Sequence, residues 1–217
     1  MTVRGREGTW VVPPYRAVWI PARISHSITT SGKVAMRTLY FKSGSKPLLR
    51  DCCVINVSAL LKELILHACT LRSLKKTVKW QGHVIAVILH QLRTVQTVPL
   101  QLPHLLDPRA VRVADMLIKD PSDRRTLAHL CKGAGASKRC VERLFQEEVG
   151  MTFGKWRQQL RLMQAMRLLA EGAKVTHAAL ESGYSTPSAF ISMFRKALRT
   201  TPTSYFKAAP KVASFVE

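Results

Sequence analysis

Acidic residues are scarce in this chain: 13 Asp and Glu stand against 34 Lys and Arg, a formal net charge of +21. So few carboxylates, widely scattered, leave little material for paired general acid–base chemistry. A Gly-rich phosphate loop and a nucleophile elbow are also missing. Five cysteines (Cys52, Cys53, Cys69, Cys131, Cys140) form no C-x-x-C pair and no Cys/His ligand spacing. They read as reduced, mostly buried thiols of a cytosolic protein, with no disulfide framework and no zinc set. No secretory h-region opens the chain, and no apolar run nears the ~20 residues that a bilayer span needs. The expected location is cytoplasmic, with no membrane partner and no cofactor.

What is present is a core and an excess of positive charge. The 217 residues are 47% hydrophobic, enough for one large or two small globular domains. A charge of this size bears on partners and not on fold, with nucleic acid first and an anionic membrane surface second. It is spread along the chain: residues 108–207 hold 18 basic and 8 acidic residues (net +10), and the remainder 16 and 5 (net +11).

The most informative stretch is 126–206, where one helix–turn–helix pattern is written twice around a long central helix. In the first copy Thr126 precedes Leu127, Leu130, Cys131 and Ala134 at helical spacing. Gly135 breaks the pattern, and Ser137 opens a run with Val141, Leu144 and Phe145 inward that ends at Gly150. The second copy reads Thr176, Ala179 and Leu180, then Gly183, then Thr186, Phe190, Met193 and Phe194. Glycine permits the left-handed residue on which one helix turns sharply into the next. Ser137 and Thr186 suit N-caps, and Pro187 suits a first helical position. Between the copies, Thr152 caps a helix running to about Glu171 that is apolar on more than one side. Its ~20 residues give roughly 30 Å, close to the ~34 Å turn of duplex DNA.

Upstream, Thr9–Val12, Ala17–Ile20, Val34–Phe41 and Val54–Val57 read as short strands, punctuated by Pro13-Pro14, Pro21, Ser31-Gly32 and Ser43-Gly44. This is part of a sandwich or barrel. Amphipathic helices follow at about 58–71, capped by Ser58, and at about 80–96. Leu60 and Leu71 add apolar surface, to be used either in pairing helices between two subunits or in packing on the sheet. The fold class is therefore α+β. It divides into a region 1–98, a proline-bracketed linker 99–107, an all-α domain 108–207, with helix Val111–Ile118 ahead of the repeat, and a tail 208–217.

The repeat resembles the AraC/XylS family of bacterial transcription regulators. The matching residues are G-A-S-K-R-C-V-E-R-L-F-Q-E-E-V-G-M-T-F-G-K-W-R at 135–157 and A-L-E-S-G-Y-S-T-P-S-A-F-I-S-M-F-R-K-A-L-R-T-T-P-T-S-Y-F at 179–206. Arg199 stands where the family usually has glycine, which implies a tighter or shifted turn before Thr200. In addition, G-T-W-V-V-P-P at 8–14 and W-I-P-A-R-I-S-H-S at 19–27 are similar to the second half of the family's small cupin sensor barrel, the first half being absent. Pro21 and His26 match that motif, and Arg23 stands at its glycine. The resemblance implies a sensor and dimerisation module joined to a double-stranded-DNA reader. The partners are an operator or promoter, RNA polymerase, a second copy of the chain and an effector that the sequence does not identify.

A second helix of this kind presents its N-terminal outward residues to base edges. In the first copy these are Lys138, Arg139, Glu142, Arg143 and Gln146. Arg139 and Arg143 are suited to guanine O6/N7 and Glu142 to cytosine N4. In the second copy the outward residues are Pro187, Ser188, Ile191, Ser192 and Arg195, a chemically poorer set, so specificity is expected mainly in the first half-site. Phosphate contacts are expected from Lys155, Arg157, Arg195, Lys196 and Lys207, and from amides near Thr126, Thr152 and Thr186. Two other readings of the same residues are a non-specific basic nucleic-acid binder and a cupin enzyme. The enzyme needs a metal set that His26 alone does not supply, since His67, His83 and His90 fall in helices.

Overall fold

The computed structural model describes residues 1–14, 16–30, 34–42 and 48–207. Among the described residues seven short strands occupy the N-terminal half: β1 Thr2–Gly5, β2 Gly8–Val11, β3 Arg16–Trp19, β4 His26–Thr29, β5 Cys53–Asn56, β6 Thr97–Val98 and β7 Gln101–Pro103. They form two antiparallel sheets, ordered β4-β1-β2-β7 and β3-β5-β6. Among the described residues these sheets close into no barrel, so the half-cupin expectation is not met in that detail.

Alternation along β5 builds two cores from one strand. Val54 faces Val3, Trp10 and the large cluster that continues into the C-terminal helices. Ile55 faces the other way, onto helices α1 (Ala59–Cys69) and α2 (Lys79–Arg93), through Leu61, Ala68, Ile88 and Leu92. The Ser58 side chain accepts from the Leu61 N–H and so caps α1, as its position suggested. Its hydroxyl also donates to Gln91 Oε1 at 3.0 Å, pinning α1 to α2.

The structure departs from the sequence pattern in several places. Val34–Phe41 forms no strand, and Val34, Met36, Tyr40 and Phe41 are exposed. Residues with strand propensity need a partner strand as well as a pattern. The Ser31-Gly32 and Ser43-Gly44 turns and the tail 208–217 lie outside the described residues. Gln101–Pro103, within the proline-rich stretch read as a linker, is a strand paired with β2. Gly8 admits it: a Cβ there would sit 2.8 Å from the Leu102 carbonyl oxygen. The strand also binds forward, since Trp156 Nε1 donates to Pro103 O at 3.2 Å and Gln159 Nε2 donates to Gln101 O. Glu148 accepts the Leu106 and Asp107 N–H groups at 2.7 and 3.0 Å.

Among the described residues the C-terminal half is seven helices: α3 Pro108–Lys119, α4 Leu127–Ala134, α5 Lys138–Val149, α6 Phe153–Ala170, α7 Val175–Glu181, α8 Pro187–Leu198 and α9 Pro202–Lys207. Helix α6 is the rod. Phe153, Trp156, Leu160, Leu162, Met163, Ala165, Met166 and Leu169 are buried around most of its girth, because a helical pair packs on each end. At one end Phe145 stacks edge-on against Phe153 and Trp156, both with centroids at 5.5 Å. At the other, Phe190, Phe194 and Tyr205 form a chain of edge-on rings. Arg16 lays its guanidinium 4.4 Å over the Tyr205 ring, so strand β3 also touches this end.

Candidate nucleic-acid interface

Each helical pair turns on a left-handed glycine. Gly135, with φ +63°, ends α4, and the Ser137 side chain then accepts from the Cys140 N–H to start α5. Gly183, with φ +83°, follows α7, and Thr186 accepts from the Ala189 N–H to start α8. The first helix of the second pair departs from the sequence reading. It begins at Val175 without a side-chain cap, and it buries Ala178 and Ala179 while Leu180 is exposed.

Helix α5 buries Val141, Leu144 and Phe145 and leaves Lys138, Arg139, Glu142, Arg143 and Gln146 in solvent. These five side chains lie on one face, as spacing at i, i+1, i+4, i+5 and i+8 requires. They are not equally available. Lys138 lies 3.7 Å from Glu142, and Arg143 donates to Glu147 at 2.7 Å. That bond raises the Arg143 pKa above its ordinary value. Arg139 is in neither pair. The competitor Glu147, one turn after Arg143, was missed by the sequence reading although the i,i+4 spacing signals it.

Helix α8 is poorer, as expected, and in one respect poorer still. Ser188 and Ser192 are exposed, but Ile191 is half-buried and packs on the core. Pro187 is half-buried, whereas Ser185 and Ala189 are exposed beside Ser188. Among the expected phosphate ligands, Lys155, Arg195 and Lys196 are exposed. Lys207 closes α9, and its side chain lies outside the described residues. Thr126, Thr152 and Thr186 are exposed, and each caps its own helix, accepting from the N–H three residues on.

Arg157 is not the freely exposed phosphate ligand that the sequence implies. It is half-buried, and it donates to the Arg125 carbonyl at 2.7 Å and to the Asp123 carbonyl. Burial, reinforced by neighbouring Arg161, lowers its pKa from the ordinary arginine value. It ties the segment before α4 to α6 instead of reaching outward. His26, the motif histidine, lies exposed on the edge strand β4. Among the described residues no group of three or more His, Cys, Asp or Glu is gathered in a way that would hold a metal ion. No helix among them is long and apolar enough to cross a membrane.

Two helix–turn–helix pairs on a common rod define a DNA-binding regulator domain. A model of the helix–turn–helix domain matches residues 130–208. The transcriptional regulator NimR of Escherichia coli K12 is 31% identical over 196 residues, covering 90% of this chain and 72% of NimR. RipA of Corynebacterium glutamicum is 31% identical over 104 residues, 48% of this chain and 31% of RipA. Among solved structures, an AraC-type regulator from Chromobacterium violaceum aligns at 23% identity with a TM-score of 0.45, covering 48% of this chain and 95% of its own. The DNA-binding domain of AdpA, in complex with a target DNA, aligns at 28% identity with a TM-score of 0.44, covering 48% and 93%. The chain belongs to the AraC/XylS family of transcription regulators, and its C-terminal half is that family's helix–turn–helix DNA-binding domain.

Proposed function

We propose that this chain regulates transcription by binding a specific duplex site, with α5 and α8 entering two successive major-groove segments on one face of the DNA. The observation that carries the reading is the pair of capped second helices, each exposing its N-terminal half to solvent, separated by a rod of roughly 27 Å. Arg139 is the principal base reader, unencumbered and suited to guanine. Arg143 reads once it leaves Glu147, Glu142 accepts from cytosine, and Lys138 and Gln146 support them. Ser188 and Ser192 contribute undiscriminating hydrogen bonds and Ile191 a thymine-methyl contact at its rim. Lys155, Arg195 and Lys196 neutralise phosphates.

The N-terminal half, bound to α6 through β7, is the sensor and dimerisation module. It transmits an effector's presence to the reader in the cytoplasm, where the regulator meets RNA polymerase. Titration of the full chain on the intergenic duplex upstream of its own gene, with and without excess competitor DNA, tests the reading. A footprint of about two helical turns per subunit that survives competitor is expected. Binding abolished by competitor would leave only a non-specific basic protein, the reading that the dispersed +21 charge favours.

A further inference from the structure

Between the two helix–turn–helix pairs lies an open cleft of about 330 Å³ lined by Arg124, Arg157, Arg161, Gly183, Tyr184 and Ser185. It joins the segment before α4, the flank of α6 and the turn of the second pair. Its charge is unbalanced. Asp123 is the acid that acts on Arg157 and Arg161, and its carboxylate is paired with Arg125, whose Nε and Nη2 donate to Oδ2 at 2.8 and 2.6 Å. Among the described residues the arginines of the cleft direct their hydrogen bonds to backbone carbonyls, and Arg157 also lies 5.9 Å over the Phe153 ring. Arg161 donates to Asp123 O at 2.8 Å and Pro121 O at 3.3 Å, and Arg124 donates to Tyr184 O at 3.4 Å. Two polar atoms on the lining are buried without a partner, Arg157 Nε and the Tyr184 hydroxyl.

Burial lowers the Arg161 pKa, Arg124 lowers it further, and burial pushes the Tyr184 phenol up to about 12. Arg157 and Arg161 share the one carboxylate of Asp123, which is already paired with Arg125, so an anion among the three guanidiniums would be met by charge-assisted donors on several sides. The crowding is constitutive. A Cβ on Gly183 would sit 2.8 Å from Arg161 Nε and Nη2, so glycine at the turn is what lets the guanidinium reach the cleft.

We propose that this cleft binds a phosphoryl group, supplied either by the backbone of the bound duplex where it passes between the two reading helices or by a soluble phosphate compound. The duplex source rests on the DNA-binding reading above; the soluble source does not. Arg124 is the residue to vary, because it is exposed and its one hydrogen bond is long. Arg124→Gln is compared with Arg93→Gln, an exposed cation of α2 in the N-terminal half that controls for loss of one charge.

In the first arm, affinity of the full chain for an operator duplex and a scrambled duplex is measured across salt concentrations. Arg124→Gln is expected to weaken both by the same factor, roughly threefold to tenfold, and to lower the salt slope by about one. Arg93→Gln leaves the slope unchanged. In the second arm, the thermal midpoint is followed with inorganic phosphate at constant ionic strength and without DNA. A rise in the wild type that Arg124→Gln abolishes assigns the site to a soluble phosphate; a slope change without that rise assigns it to the duplex. Wild-type slope and wild-type phosphate response in Arg124→Gln would overturn the proposal. If no duplex is bound at all, the DNA-binding reading fails by itself, and the phosphate arm alone decides the cleft.

Discussion

The two helix–turn–helix pairs share a turn geometry and differ in what surrounds it. At Gly135 a Cβ would meet nothing within 4 Å, so glycine is there for its backbone alone. At Gly183 the same left-handed backbone is compressed against a half-buried arginine. The reading helices contrast in the opposite sense. Helix α5 offers two arginines and a glutamate, while α8 offers two serines and a half-buried isoleucine. The first pair is thus open at its hinge and chemically rich at its reading face; the second is locked at its hinge and chemically plain. Repetition of a fold does not repeat its function, because the turn and the reading face answer to different neighbours.

The contrast is broken most strongly by adding a methyl group at each hinge. Gly135→Ala should cost about 1–2 kcal/mol, the penalty of a left-handed non-glycine residue. Gly183→Ala adds displacement of Arg161 from the Asp123 carbonyl and should cost about 2–4 kcal/mol. Denaturant midpoints at unchanged m-value measure both, and equal losses would remove the steric difference between the turns. Next comes the reading face. Arg139→Ala should lose about 1–3 kcal/mol of discrimination at one base pair of the first half-site, whereas Ser188→Ala should leave base preference nearly flat. Comparable relaxation at both half-sites, read by selection on randomised duplexes, would sink the asymmetry.

A smaller effect is expected at Arg199, the left-handed residue that ends α8 with φ +58°. The sequence suggested a tighter or shifted turn there. Instead the arginine adopts the conformation that glycine would take. Arg199→Gly should therefore stabilise the second pair by about 0.5–1 kcal/mol, strain relief less the extra chain entropy of glycine. A lowered thermal midpoint would mean that the side chain holds the turn by contacts that outweigh its strain.

The smallest effect is in acid. Arg109 donates to Asp107 at the cap of α3, holding that carboxyl at about 2. A folded pKa below the unfolded one contributes stability that is present above about pH 4 and is lost as pH falls toward 2. Helix α7, whose N-cap position Lys174 makes no side-chain cap, has no such group at its start. Amide exchange between pH 4 and 2 should loosen α3 ahead of α7, and Asp107→Asn should flatten that difference. Loss in step at both helices would dissociate the cap from the acid response.

Local chemistry carried far in this chain where the element is helical. Ser58, Ser137, Thr152 and Thr186 stand in the sequence as caps, and each accepts the N–H three residues on, as Thr126 also does. Gly135 and Gly183 stand as turns and take positive φ. These interactions span four residues or fewer, so sequence spacing suffices to read them. Arg23 and Arg199, which the resemblance implied stand in place of glycine, both take the left-handed backbone.

The sheet half was less legible, because a strand is defined by a partner that may be far along the chain. Val34–Phe41 has strand chemistry and no ladder. Gln101–Pro103 has linker chemistry and a ladder, offered by Gly8 ninety-odd residues earlier. Arg157 was read as outward because helix periodicity does not report carbonyl groups arriving from another segment. Asp123 and Arg125 deliver those carbonyls and bring Arg161 and Arg124 to one cleft. The sequence by itself determined the duplicated helical pairs, their caps, the central rod and the outward face of α5, because each follows from contacts one turn apart. Only the tertiary structure decided which arginines face solvent, how β7 joins the two halves, and that Gly183 yields its space to Arg161. Those outcomes depend on groups tens of residues apart competing for the same volume and the same hydrogen bonds.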